Sequence, residues 1–254
     1  MVSRSPFPEG EDAAAAPPSS PSARATGGFW FALSQRQRDA LRTLGGHRIY
    51  PAKATLMCQG DEANHVVIIQ SGWAKVTTAT EDGHHVLLAL RGPGDLVGES
   101  AVLGTRLRSA TVTALSPVRS LVVSGARFVD YLNGDPVVWR TVSAVVMQRL
   151  EDADSRLQTH ISAKGAQRLA AALVHLAELS VLGAPPNPDG SVDIAPPLSQ
   201  EELGSYIDAS RETVARAFNT LRKLGLVRTG WRRITVLDLP RLATYANGKP
   251  LGQK

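Results

Sequence analysis

The sequence predicts an α+β protein in three parts: an N-terminal β domain, one long helix, and a C-terminal winged helix-turn-helix. Three observations predict it. Short apolar runs separated by turn residues fill residues 48–123. A stretch free of Gly and Pro, with its apolar residues on one helical face, follows Pro136. Two short capped helices and a basic hairpin then close the pattern,.

Residues 1–28 are rich in Ala, Pro and Ser, as in Ala13-Ala14-Ala15-Ala16-Pro17-Pro18-Ser19-Ser20-Pro21. Such a segment buries too little apolar surface to offset its ordering entropy, so a disordered tail is expected. Order should begin near Phe29-Trp30. Ser34 then caps a short helix through Leu44, with Leu33, Leu41 and Leu44 inward,.

A domain over 29–135 is expected to be mostly β. Val66-Val67-Ile68-Ile69 stops at Ser71-Gly72, and Trp73 to Thr78 stops at Glu81-Asp82-Gly83. Val86 to Leu90 stops at Gly92-Pro93-Gly94-Asp95, Thr111 to Leu115 stops at Ser116-Pro117, and Val118 to Val123 closes the series. Regular turn signals between short strands fit a barrel, roll or sandwich.

Residues 136–162 read as a single long helix. Val142, Val146, Leu150, Ala153, Leu157 and Ile161 recur every three or four residues,. Such a seam suits pairing with a second copy of the chain, giving a homodimer. The other reading is a helix packed only on its own β domain. The remaining unit, 163–248, opens with a helix over Lys164 to Leu182 that turns Leu169, Leu173, Leu176 and Leu179 inward. A brief strand around Val192-Asp193-Ile194 follows.

Ser199 and Glu202 are spaced as a capping box, with Leu203, Tyr206 and Ile207 on the buried face of the helix they start,. Asp208-Ala209 breaks it, and Ser210 caps a second helix with Val214, Phe218 and Leu221 inward. Arg211, Glu212 and Arg216 face elsewhere. Arg can donate two hydrogen bonds to guanine and Glu can accept from cytosine, so this face has the chemistry to read bases in double-stranded DNA. An i,i+4 ion pair on a solvated helix is the bland alternative for Glu212 and Arg216. Ser210 and Thr213 suit phosphate contacts at the helix start, and Ser199 and Gln200 are expected among the DNA-binding residues. Val227 to Leu237 then forms a hairpin wing with Arg232 and Arg233 at its tip.

Charge agrees with a polyanion partner. The net charge is +5, and residues 199–254 hold ten Lys/Arg against five Asp/Glu, so the whole excess lies there,. Cys58 is the one cysteine. It excludes an intrachain disulfide and multi-cysteine metal sites, and is expected to be partly buried before a turn. His47, His65, His84, His85, His160 and His175 are scattered and read as packing or surface residues, so no metal is expected. There is no nucleophile elbow, P-loop or HExxH, so no enzyme is expected. No apolar run is long enough to span a bilayer and no secretory start is present, so a cytoplasmic protein without membrane contact is expected.

Ser210-Arg211-Glu212-Thr213-Val214-Ala215-Arg216 resembles the recognition helix of the cAMP receptor protein/Fnr family of bacterial transcription regulators, and the order of parts agrees over about residues 30–245. The resemblance implies an N-terminal cyclic-nucleotide-binding-like β-roll (jelly roll), a long dimerisation helix, and a C-terminal winged helix-turn-helix. It implies that Arg211, Glu212 and Arg216 read a TGTGA-like palindrome, and that RNA polymerase is a partner. The family usually has a small residue, often Gly, where Asp208 stands. Gly94-Asp95-Leu96-Val97-Gly98-Glu99-Ser100-Ala101 with Arg108-Ser109-Ala110 resembles its phosphate-binding cassette. Gly98, Glu99, Ser100, Arg108 and Ser109 would then hold a cyclic nucleotide, cAMP or another. A buried Glu99–Arg108 ion pair kept for structure is the alternative; the other functions open are an effector-independent regulator of the same type, or a cyclic-nucleotide-binding regulatory subunit acting on a protein partner. Relatives that bind cAMP place small hydroxyl residues on the long helix. Ala153 and Asp154 stand there instead.

Overall fold

A computed structural model of the chain describes residues 28–80, 83, 85–104, 107–163, 165–231 and 233–251. The expected N-terminal tail, apart from Gly28, lies outside them, as do His84 and Arg232.

Two short helices come first, α1 (Phe29–Ala32) and α2 (Gln35–Leu44). The Ser34 hydroxyl accepts from the Gln37 N–H, and the Gln37 side chain accepts from the Ser34 N–H at 2.9 Å. This reciprocal cap fixes where α2 starts. Strands β1 (Gly45–Tyr50), β2 (Thr55–Met57), β3 (His65–Ser71), β4 (Ala74–Ala79), β5 (His85–Arg91) and β6 (Leu96–Val97) follow. Helix α3 (Glu99–Leu103) separates them from β7 (Thr111–Ala114) and β8 (Val118–Ser124). They form two antiparallel sheets with orders β1-β8-β3-β6 and β2-β7-β4-β5.

The unbroken apolar run of β3 has a direct cause. Successive strand residues point to opposite faces, and both faces of β3 are covered. Val67 and Ile69 join Tyr50, Met57, Val97 and Val112 between the sheets. Val66 and Ile68 join Phe29, Leu41, Leu121 and Phe128 under the helices. Each fully buried side chain of this size contributes about 1.5–3 kcal/mol.

Helix α4 (Gly125–Gly134) leads to α5 (Pro136–Ser162). The Asp135 carboxylate accepts from the N–H groups of Val137 and Val138, and Pro136 occupies the first turn, which starts α5 sharply. The α5 seam divides. Val142 is buried with Val138 in the core under the helices. Val146, Leu150, Leu157 and Ile161 are exposed on this chain. The sequence reading placed Val142 on the outward seam; it belongs to the β domain, because the first two turns of α5 lie against α1 and α4.

The C-terminal unit comprises α6 (Ala166–Gly183), β9 (Val192–Asp193), α7 (Gln200–Ile207), α8 (Arg211–Lys223), β10 (Val227–Gly230), β11 (Arg233–Val236) and α9 (Leu239–Ala246). Leu169, Leu173, Leu176, Leu203, Phe218, Leu221, Val236 and Leu242 share one core, which also takes in Leu87 and Leu90 of β5. Cys58 is exposed, not partly buried as its sequence neighbours suggested. Among the described residues no helix is long and apolar enough to cross a membrane.

Candidate nucleic-acid interface and effector pocket

The reading unit is set by its caps. The Ser199 hydroxyl accepts from the Glu202 N–H at 3.1 Å, and the Ser199 N–H donates to Glu202 Oε2 at 2.9 Å. Helix α7 ends at Asp208, whose φ of 48° and ψ of 62° are left-handed. Asp tolerates that region, which accounts for its standing at a position where a small residue is usual. The turn is tight: a Cβ at Gly204 would lie 2.5 Å from the Ala209 carbonyl oxygen. Ser210 then caps α8 by accepting from the Thr213 N–H at 3.2 Å.

Val214, Ala217, Phe218 and Leu221 bury one face of α8. Arg211, Glu212, Arg216 and Asn219 are exposed on the others. Arg216 and Glu212 stand 3.7 Å apart with both side chains mostly in solvent, so their ion pair is loose and screened. Arg211 has no ion-pair partner among the described residues. The three side chains expected to read bases therefore share one solvent-facing start of a helix. Ser199 and Gln200 are exposed at the start of α7, and Thr213 is half-buried against the Ser210 hydroxyl at 3.0 Å.

The wing is tied down at both strands. Arg222 of α8 donates to the Thr229 hydroxyl at 2.7 Å. Arg233 donates Nε–H to Asp193 at 3.2 Å, and Thr235 donates to the same carboxylate at 2.7 Å. These bonds, the Arg233 one foremost, lower the Asp193 carboxyl to about 2. Arg233, expected at the basic tip of the wing, is thus partly neutralised by Asp193. Arg232 lies outside the described residues.

In the β domain Gly98 adopts φ 85°, and a Cβ there would lie 2.5 Å from Arg108 Nη1. Only glycine leaves the backbone bare at this point. Arg108 is buried and donates to the carbonyl oxygens of Gly98 at 2.8 Å and His65 at 2.5 Å. Glu99 is 4% exposed. Its Oε1 accepts from Ser100 at 3.0 Å and from Arg149 Nη1 at 2.7 Å. The Glu99–Arg108 pair that spacing allowed is therefore not the one formed; α5 supplies the partner. Arg149 also donates to the Leu96 carbonyl at 2.6 Å and lies 3.5 Å from Asp95. Burial, with Arg149 close by, lowers Arg91 to about 10. Gly98, Glu99, Ser100 and Arg108 come together as expected, and Ser109 follows on the exposed side.

The side chains that join the β domain to the helix-turn-helix unit carry no local signal in the sequence beyond the spacing of two arginines. Lys75 of β4 meets Glu202 of α7 at 2.6 Å, and the Leu87 N–H donates to the Ser205 hydroxyl at 3.1 Å. Arg156 of α5 donates to the Leu88 carbonyl and lies 5.5 Å from the Tyr206 ring centroid. His160 Nε2 is 3.3 Å from Asp208. A basic residue every seventh position, Arg149 and Arg156, was the available clue.

Comparison with known proteins matches two domains of the chain. Residues 47–135 match the model of a cyclic nucleotide-binding domain, and residues 167–245 that of a Crp-like helix-turn-helix domain. The chain is 26% identical over 197 residues to the CRP-like cAMP-activated global transcriptional regulator of Mycobacterium tuberculosis (78% of this chain, 86% of that protein). It is 29% identical over 223 residues to the cyclic AMP receptor protein of Thermus thermophilus (87% and 97%). In fold it matches FixK2 from Bradyrhizobium japonicum with a TM-score of 0.68 at 20% identity, over 82% of this chain and 99% of that one.

Proposed function

The chain belongs to the Crp/Fnr family of bacterial transcription regulators, and on that premise we propose that it works as a cytoplasmic homodimer reading a TGTGA-like palindrome under control of a small anionic effector. One observation carries the DNA reading: Arg211, Glu212 and Arg216 are exposed together at the start of α8, while Val214 and Phe218 anchor its other face. The first turn of such a helix enters the major groove, where the arginines address guanine and Glu212 addresses cytosine. Two copies paired along Val146, Leu150, Leu157 and Ile161 would set two α8 helices about 34 Å apart, one turn of DNA. Contact with RNA polymerase, and the absence of catalysis, follow from the same family likeness.

The residues present fit the anionic half of a cyclic nucleotide. Gly98 presents bare backbone over Arg108, a setting for a phosphate. Among the described residues the bonds to Glu99 fall on Oε1, so Oε2 would be the atom to accept from a sugar hydroxyl. Ala153 and Asp154 bring no hydroxyl pair to the base, so cAMP is one candidate among cyclic nucleotides. The effector would supply charge at Arg108; the protein supplies the lever. Glu99 holds Arg149, α5 carries Arg156 and His160, and these reach Tyr206 and Asp208 of the reading unit. A shift in α5 would change the population of DNA-competent arrangements.

Fluorescence anisotropy on a TGTGA palindrome and a scrambled duplex, across a salt series, tests the reading. Preference for the palindrome with steep salt dependence is expected. Equal binding to both duplexes contradicts it. Calorimetry with cAMP, cGMP and cyclic dinucleotides, paired with DNA affinity, tests the effector arm.

A further inference from the structure

The tip of the wing carries a side chain that the DNA reading above does not use. Trp231 is 92% exposed, whereas Trp30 and Trp73 are buried in the β domain. Leaving an indole in water forgoes the burial that usually places tryptophan. Its mounting is firm. Gly230 of β10 pairs with Arg233 of β11, and Trp231 follows Gly230 directly at the turn. Arg222 ties β10 to the last turn of α8 through Thr229, and Asp193 holds β11 through Arg233 and Thr235.

Trp231 and Thr229 line one wall of a cleft of about 340 Å³, and Ser199 and Gln200, at the start of α7, line another. Exposed Arg228, Arg222 and Lys223 surround the wing with positive charge, and Asp193 offsets Arg233. A partner here must be anionic yet offer an apolar face. Duplex DNA does so, because deoxyribose lies between its phosphates.

We propose that Trp231 seats in the minor groove beside the bases addressed by α8 and makes the protein sensitive to flanking sequence. This rests on the DNA-facing reading of α8. The indole face lies on deoxyribose and its N–H donates to the adenine N3 or thymine O2 acceptors, a site that the guanine amino group obstructs. The flank is thereby read as A·T against G·C.

The test uses full-length protein and palindromes flanked by A·T or G·C pairs, with Trp231→Ala, Trp231→Phe and Arg211→Ala side by side. Trp231→Ala is expected to bind the A·T-flanked duplex about tenfold more weakly, to lose flank preference and to keep the salt slope. Trp231→Phe is expected to recover part of the affinity without the flank preference, since it keeps a ring but no donor. Arg211→Ala should lower affinity on both palindromes. If Arg211→Ala weakens binding and Trp231→Ala does not, the wing proposal is overturned alone. If Arg211→Ala is also silent, the DNA-facing reading of α8 fails with it. Unchanged DNA affinity with loss of RNA polymerase recruitment in Trp231→Ala would make the tip a protein contact and overturn the proposal.

Discussion

Lys75 Nζ and Glu202 Oε1 meet at 2.6 Å across 127 residues of sequence. One belongs to a sheet of the β domain, the other to the capping box of the helix-turn-helix unit. Burial raises the Glu202 carboxyl, but the bonds from Lys75 and Ser199 outweigh it and hold the group below its ordinary range. The contact is thus present above the ordinary carboxylate pKa and weakens as pH falls through the lowered one.

Lys75→Ala removes this contact and leaves the capping box intact. Both side chains are about a quarter exposed, so a stability loss of about 0.5–1 kcal/mol is expected. The sharper readout is the Leu87 amide, whose protection depends on Ser205 of the other domain. Hydrogen exchange there should quicken several-fold while exchange in β3 stays constant. Unchanged exchange at Leu87 would mean that the pair does not hold the domains together.

Arg149→Ala should cost more. It removes the ion-pair partner of the Glu99 carboxylate, which is 5% exposed at its side chain, and leaves Ser100 as its hydrogen-bond donor among the described residues. Leaving one member of a buried pair costs about 3–5 kcal/mol. Urea unfolding checks this, and Arg149→Lys should restore part of the loss. Wild-type stability in both variants would show that Glu99 does not need α5.

Acid should loosen the wing. The Asp193 carboxyl is lowered from 3.8 to about 2, first by the Arg233 hydrogen bond and then by Thr235. A lowered carboxyl contributes stability that is complete above its unfolded value and is lost as pH falls through the folded one. Melting curves between pH 4 and pH 2 should therefore drop faster for wild type than for Asp193→Asn. Parallel curves would contradict the assignment.

The exposed part of the α5 seam predicts an assembly. Leu150→Lys with Leu157→Lys should halve the sedimenting mass, because these side chains face away from the chain's own core,. The β domain should stay folded, since Val138 and Val142 remain buried. A monomeric wild type, or a dimeric double variant, would contradict the pairing.

The parts set by local chemistry were legible in sequence. Ser34, Ser199 and Ser210 announce helix starts because a hydroxyl there satisfies a free N–H, and all three do so. Alternation inside β3 was not visible, since both faces are apolar. Helices α4 and α9 went unread. The first is bounded by Gly125 and Gly134, whose composition resembles a loop. The second had a usable signal, Asp238 capping with Pro240 in the first turn,. Long-range partners were out of reach: nothing near Glu99 in sequence points to Arg149, and nothing near Glu202 points to Lys75. The cassette residues were named by resemblance, and the contacts of Glu99 and Arg108 only by geometry.

The direct measurement of base reading compares Arg211→Ala and Arg216→Ala with wild type on the cognate palindrome and on random duplex at one salt concentration. Each substitution is expected to cost roughly 1–3 kcal/mol on the palindrome and little on random DNA. Equal losses on both duplexes would mean that these side chains touch phosphate only, and that α8 does not choose the sequence.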